Sequence, residues 1–298
     1  MNRPILILAS ALLLLGSCSK PAAQAPVPSA ATADPAFDAA NPASNLVFTI
    51  PVGAGAMNAM MYTAAGAGPH PTLLLLHGFP GNEQNLDLAQ ATRRAGWNVL
   101  TQHYRGSWGS KGAFSFAGAA EDARAALAFL KRPDNITRYR IDAKHIAIAG
   151  HSMGGMMAAD AAADDPSVAG LFLIDAWDIS ADAKGLATPE GAKAWHDEVV
   201  TDLPALSGTD EAALTAELRA RGSRFDLAKR VLAYGNRPLD IIGAERGGGA
   251  PNAAVLKAVR TSVNPGATGA TWPTDHSFND RRIALSERLV TWLGKLRK

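Results

Sequence analysis

The chain has 298 residues, 47% of them hydrophobic and 19% charged, with a formal net charge of +2. That is globular composition, enough for one large α/β domain or two small ones, and it gives no reason to expect a nucleic-acid partner, because no basic cluster with interleaved aromatics is present. A single cysteine, Cys18, and seven scattered histidines exclude a Cys/His metal array and an intramolecular disulfide.

The first segment reads as a targeting signal. Arg3 gives a short positive start, and the apolar run over 4–15 is too short to span a bilayer comfortably. It ends in Leu15-Gly16-Ser17-Cys18, which resembles the lipobox of bacterial lipoproteins. The resemblance implies a signal peptide over 1–17, cleavage before Cys18 and lipid attachment there. The protein would then be anchored to a membrane of the bacterial cell envelope, with its folded part facing the periplasm. An ordinary secretory signal that happens to hold a cysteine is the alternative. Residues 18–44, rich in Ala, Pro and Ser, have little to bury and read as a flexible tether.

From residue 45 to 298 apolar runs and helical patterns alternate. Runs over 46–50 and 57–63 predict a first pair of strands joined by a Gly-rich turn. Leu73-Leu74-Leu75-Leu76 is apolar throughout, as in a strand buried on both faces. A helix over 83–95, a strand over 98–104 and a helix over 116–132 follow. Next come a strand over 145–149, a helix over 153–163 and a strand over 168–175. The alternation then breaks: about 176–237 is helical, with no good strand. It resumes with a strand over 239–244, a helix over 253–260, a weaker strand over 268–272 and a helix over 280–296. Short connections between alternating elements predict an α/β fold: a mostly parallel eight-stranded sheet flanked by helices, with a helical cap inserted after the sixth strand.

Gly150-His151-Ser152-Met153-Gly154 falls between a buried strand and a helix of small residues. A serine on such a strand-to-helix turn has its hydroxyl exposed at the sheet's carboxyl edge, above a helix N-terminus that favours developing negative charge. A serine hydroxyl needs a base, and His276, after the last strand, is the candidate at the same edge. His77 reads as structural, and His196 as a pocket or solvent residue. Backbone N–H groups of Phe79 and Met153 are the candidate oxyanion donors. Arg105 reads as structural; Trp177 and Trp195 read as pocket lining or as core.

Together HGFPG at 77–81, YRGSWGS at 104–110, GHSMGG at 150–155 and DHSF at 275–278 resemble the α/β-hydrolase superfamily, in its bacterial serine esterase and aminopeptidase-like branch. The resemblance implies a Ser–His–acid triad and a serine hydrolase that cleaves a carboxylic ester or related acyl bond of a small-molecule substrate through an acyl-enzyme, with no metal or cofactor. A peptidase acting on small peptides or acyl amino acids is the alternative within this class. The family's acid usually ends a run like G-A-x-x-D, but here Gly243-Ala244-Glu245-Arg246-Gly247 has glycine at that place. Asp175, closing the strand after the elbow helix, is the preferred substitute, Glu245 the alternative, and Asp178 a further candidate. With no carboxylate in the role, the chain would be a degenerate hydrolase acting as a non-catalytic binding protein of the envelope.

Overall fold

The structure is a computed structural model that describes residues 29–297. The signal segment 1–17 and Cys18 lie outside the described residues. Within the segment read as a tether, a turn begins at Ser29, and the carbonyls of Ala30 and Ala31 accept hydrogen bonds from the Arg94 guanidinium at 2.7 and 3.1 Å. Among the described residues no helix is long and apolar enough to cross a membrane.

Eight strands form one sheet: β1 (Ser44–Val52), β2 (Gly55–Thr63), β3 (His70–Leu76), β4 (Asn98–Gln102), β5 (Ile141–His151), β6 (Gly170–Ile174), β7 (Leu239–Arg246) and β8 (Thr268–Asp275). Their spatial order is β1-β2-β4-β3-β5-β6-β7-β8. β1 and β2 pair antiparallel, as do β2 and β4, and every pairing from β4 to β8 is parallel. The central strands β3 and β6 are buried at every position, as expected for strands with helices on both faces. β8 is an edge strand that contains Gly269 and Pro273 and has only Thr274 fully buried, which is why its pattern is weak in the sequence.

The helices are α1 (Leu86–Arg94), α2 (Phe116–Leu130), α3 (Pro133–Tyr139), α4 (Met153–Asp164), α5 (Ile179–Gly185), α6 (Pro189–Asp202), α7 (Glu211–Arg221), α8 (Leu227–Tyr234), α9 (Gly249–Ser262) and α10 (Arg282–Lys295). One sheet face meets α2, α4, α8 and α9 through residues such as Leu74, Ile148, Leu173, Met157 and Val231. The other meets α1 and α10 through Leu75, Ala149, Phe172, Leu289 and Trp292. α3, not anticipated from the sequence, is a seven-residue helix begun by Pro133, too short to carry an apolar period.

Between β6 and β7 the chain is helical, as α5 to α8 with short 3₁₀ turns at Leu203–Ala205 and Gly222–Arg224. The end of this segment belongs to the layer beneath: α8 packs on α4 and α9. α7 is tied down differently. Its Glu217 carboxylate accepts from the first N–H groups of α2, those of Phe116 and Ala117, at 2.9 and 2.7 Å. Those amides have no partner inside their own helix, and the dipole there favours an anion.

Leu289 is fully buried in the layer between α10 and the sheet. Leu289→Ala is expected to cost about 2–5 kcal/mol through lost transfer energy and a residual cavity. Urea unfolding checks this: the midpoint should fall with the slope unchanged, and an unchanged midpoint would contradict the packing described.

Candidate active site

Parallel strands bring their carboxyl ends to one edge of the sheet, and the loops that leave β3, β5, β6, β7 and β8 carry the candidate residues. Ser152 follows β5 directly, with φ 55° and ψ −123°. A non-glycine residue held there stores about 1–3 kcal/mol of strain. The turn survives because glycines stand two positions away on either side. A Cβ at Gly150 would overlap the Gly154 carbonyl, and one at Gly154 would overlap the Leu76 carbonyl. The backbone of the serine is pinned at both ends: its N–H donates to Ile174 O at 3.0 Å, and its carbonyl accepts from the Trp177 N–H at 2.9 Å. Ser152 is 9% exposed, at the boundary between interior and surface.

His276 follows β8, and its Nδ1 donates to Asp175 Oδ2 at 2.6 Å. Asp175 follows β6, has φ 44° and is fully buried. Its carboxylate is satisfied on every side. Oδ1 accepts from the Ala244 N–H at 2.8 Å, and Oδ2 also accepts from the Gly248 N–H at 2.8 Å. Two backbone amides and one imidazole therefore compensate the desolvation of the acid. Glu245 sits at the exposed end of β7, away from this network. Asp178 caps α5 instead, accepting from the Ser180 N–H and hydroxyl. Among the described residues no hydrogen bond joins the Ser152 hydroxyl to the His276 ring; such contacts commonly tighten only when substrate is bound.

The glycine at 247 now has a physical reason. A Cβ there would overlap Asp175 Oδ2 and lie 3.2 Å from His276 Cα. The space an acid on the β7 loop would need is taken by the acid from β6. This constraint links positions 72 residues apart, and no local pattern announces it.

The loop after β3 closes the other side. It runs so near the serine that a Cβ on Gly78 would lie 2.9 Å from Ser152 Cβ. Among the described residues the N–H groups of Phe79 and Met153 have no backbone or side-chain acceptor. His77 is buried, and its Nδ1 donates to Gly78 O at 2.7 Å. Burial lowers its pKa to about 3, so it is a neutral structural residue. Ser107 adds a further tie by donating to Pro80 O at 2.8 Å.

Beside the β3 loop the Phe79 ring lies 5.5 Å from Phe114 and 6.2 Å from Trp177, and Trp177 lies 6.4 Å from Trp195. Trp177 is half-buried against this cluster, whereas Trp195 is core, its indole N–H donating to Thr215 at 2.8 Å. Arg105 is held by Asp122 at 2.6 Å and Glu121 at 2.9 Å, and His196 is exposed and paired with Glu211 at 2.8 Å. A cleft of about 540 Å³ opens between Pro80, Trp108, Asp202 and Pro204; it adjoins the β3 loop but is not walled by Ser152 or His276. Desolvation, then Asp182 and Asp202, push the Glu198 carboxyl on α6 above its ordinary range, while His276 draws it down. Among the described residues no group of three or more His, Cys, Asp or Glu side chains is placed to hold a metal ion.

If Asp175 is the partner of His276, the downfield Nδ1 proton of His276 in an NMR spectrum should disappear in Asp175→Asn and in Gly247→Ala. It should persist in Glu245→Gln. Its loss only in Glu245→Gln would reverse the assignment.

Residues 71–280 match the family model described as alpha/beta hydrolase fold. No curated protein matches the chain. Among solved structures, Est1E from Butyrivibrio proteoclasticus superposes with a TM-score of 0.63 at 16% identity, over 84% of this chain and 98% of that one. The α/β hydrolase GrgF from Penicillium sp. sh18 gives 0.63 at 18%, over 85% and 98%. The thermophilic carboxylesterase EstE1, cloned from a metagenomic library, gives 0.57 at 21%, over 90% and 91%.

Proposed function

We propose that this chain, a member of the α/β-hydrolase fold family, is a hydrolase that cleaves a carboxylic ester, or a related acyl bond, through an acyl-enzyme formed on Ser152. In this reading His276 takes the hydroxyl proton as Ser152 Oγ attacks the acyl carbon. The Phe79 and Met153 amides hold the oxyanion, and His276 passes the proton to the departing alkoxide. Water then enters, gives a proton to His276, and releases the acid and the free serine. Asp175 orients the imidazole and stabilises its cation.

The observation that carries this reading is the pairing of His276 with a sealed, fully bonded Asp175. Beside it stand a strained serine and two amides with no acceptor among the described residues, pre-oriented donors that need no reorganisation as charge develops. The non-catalytic alternative drew its support from the glycine at 247, and that glycine makes room for another acid. The aromatic wall of Phe79, Phe114 and Trp177 suits an apolar acyl group. The peptidase reading draws on a different feature. The acidic side chains around Glu198, within electrostatic reach of His276, suit a substrate that carries a free ammonium.

Two measurements test this. A fluorophosphonate probe should label the wild type and leave Ser152→Ala unlabelled, and an intact wild type that fails to label would overturn the catalytic reading. On p-nitrophenyl esters Asp175→Asn should lose about 10⁴ in turnover, and Glu245→Gln should stay near the wild type. Aminoacyl-anilides turned over faster than esters would favour the peptidase.

We propose further that Cys18 carries a lipid that anchors the protein to an envelope membrane. A fatty-acid analogue fed to cells should label the wild type and not Cys18→Ala; an unlabelled wild type would contradict it.

A further inference from the structure

The residue preceding the serine is itself built into the site. His151 ends β5, is 4% exposed, and its Nε2–H donates to the backbone carbonyl of His276 at 2.8 Å. The two imidazole rings lie against each other, with centroids 4.6 Å apart and planes inclined at 39°. We propose that His151 is a positioning residue: by holding the His276 carbonyl and backing the His276 ring it fixes the imidazole between Asp175 and Ser152. The inference rests on the reading of His276 as the base.

Asp175 grips only one edge of the His276 ring, its Nδ1. A single hydrogen bond leaves the ring free to swing about that contact, and a displacement of about 1 Å at a catalytic group can cost about 10²-fold in rate. A second hold on the main chain, with a flat neighbour against the ring, removes that freedom. His151 is well placed to give it. It ends β5, the strand that delivers Ser152, and lies opposite Ile174, the last residue of β6 before Asp175. The rest of the loop is anchored elsewhere. Arg282 holds the Ser277 carbonyl at 2.9 Å, and Phe278 is fully buried. His151 meets both the backbone and the ring of His276.

The chemistry of an imidazole suits the task. The bond to the His276 carbonyl fixes the tautomer with its proton on Nε2. Burial keeps the ring neutral, with a pKa lowered to about 4. A neutral neighbour does not oppose the positive charge that His276 takes on during turnover, as a second cation would. The buried Nδ1 of His151 has no hydrogen-bond partner among the described residues.

Three variants, assayed on a p-nitrophenyl ester beside His276→Ala, provide the test. His151→Gln keeps an N–H at roughly the reach of Nε2 and should turn over within about threefold of the wild type. His151→Asn is polar but too short to meet the carbonyl, and His151→Met has no donor. Both should lose about 10- to 10²-fold in kcat with KM within about twofold, because only the reacting geometry changes. Should His151→Met fail to fold, His151→Asn carries the comparison. A wild-type kcat in His151→Asn, or an equal loss in His151→Gln, would overturn the proposal while a silent His276→Ala leaves the base assignment standing. An active His276→Ala would remove the premise itself.

Discussion

A carboxylate sealed from water is tolerated only when its oxygens are met by donors, and Asp175 is such a group. Its partners come from three separate stretches: the Ala244 N–H at the end of β7, the Gly248 N–H at the start of α9, and the His276 ring after β8. Meeting them demands that β6, β7 and β8 lie in register and that the turn into α9 pass close over the acid. Gly247 follows from that approach, since a side chain there would fall on the carboxylate. Removing one partner from a buried charge is far more costly than removing a surface ion pair. The geometry of this corner of the molecule therefore stands or falls as a unit.

The opposite side of the site is governed by close backbone packing. The helix start after Ser152 passes β3 at a distance that a side chain at Gly154 would not permit, Gly150 makes room for the turn's own backbone, and the β3 loop passes near enough to place Gly78 against the serine. Strain at Ser152 and Asp175, both at positive φ, is borne by the central strands and by α4, whose residues from Met153 to Ala162 are buried without exception. The rigid sheet sets the positions of the candidate groups. The segment between β6 and β7, tied to α2 through Glu217 and to the aromatic cluster around Phe116, shapes the space above them.

The division between what was readable in the sequence and what was not follows the range of the interactions. Strand and helix alternation, the buried runs of β3 and β6, and the serine on its turn depend on neighbours within a few positions, so their residues announce them. His276 was legible from its place after the last strand. Asp175 was preferred over Glu245 and Asp178 from its place at the end of β6, but the close approach of Gly247 to Asp175 was not legible, because it joins residues that follow two different strands. Asp178 carries an ordinary capping signal, visible only once α5 is in place. α3 escaped because seven residues, with only Ile136 and Tyr139 apolar among the non-proline positions, are too few to show a periodicity. His151 read as an unremarked letter of the motif, since its contact with the His276 carbonyl spans 125 residues.

The central claim is that the reaction passes through a covalent acyl group on Ser152. Rapid acid quenching during turnover of a slow p-nitrophenyl ester, followed by mass spectrometry of the peptides, tests it most directly. The account predicts an added acyl mass on the peptide that contains Ser152, accumulating with the burst of p-nitrophenol and absent in Ser152→Ala. Turnover with no adduct, or with the adduct on another residue, would contradict it.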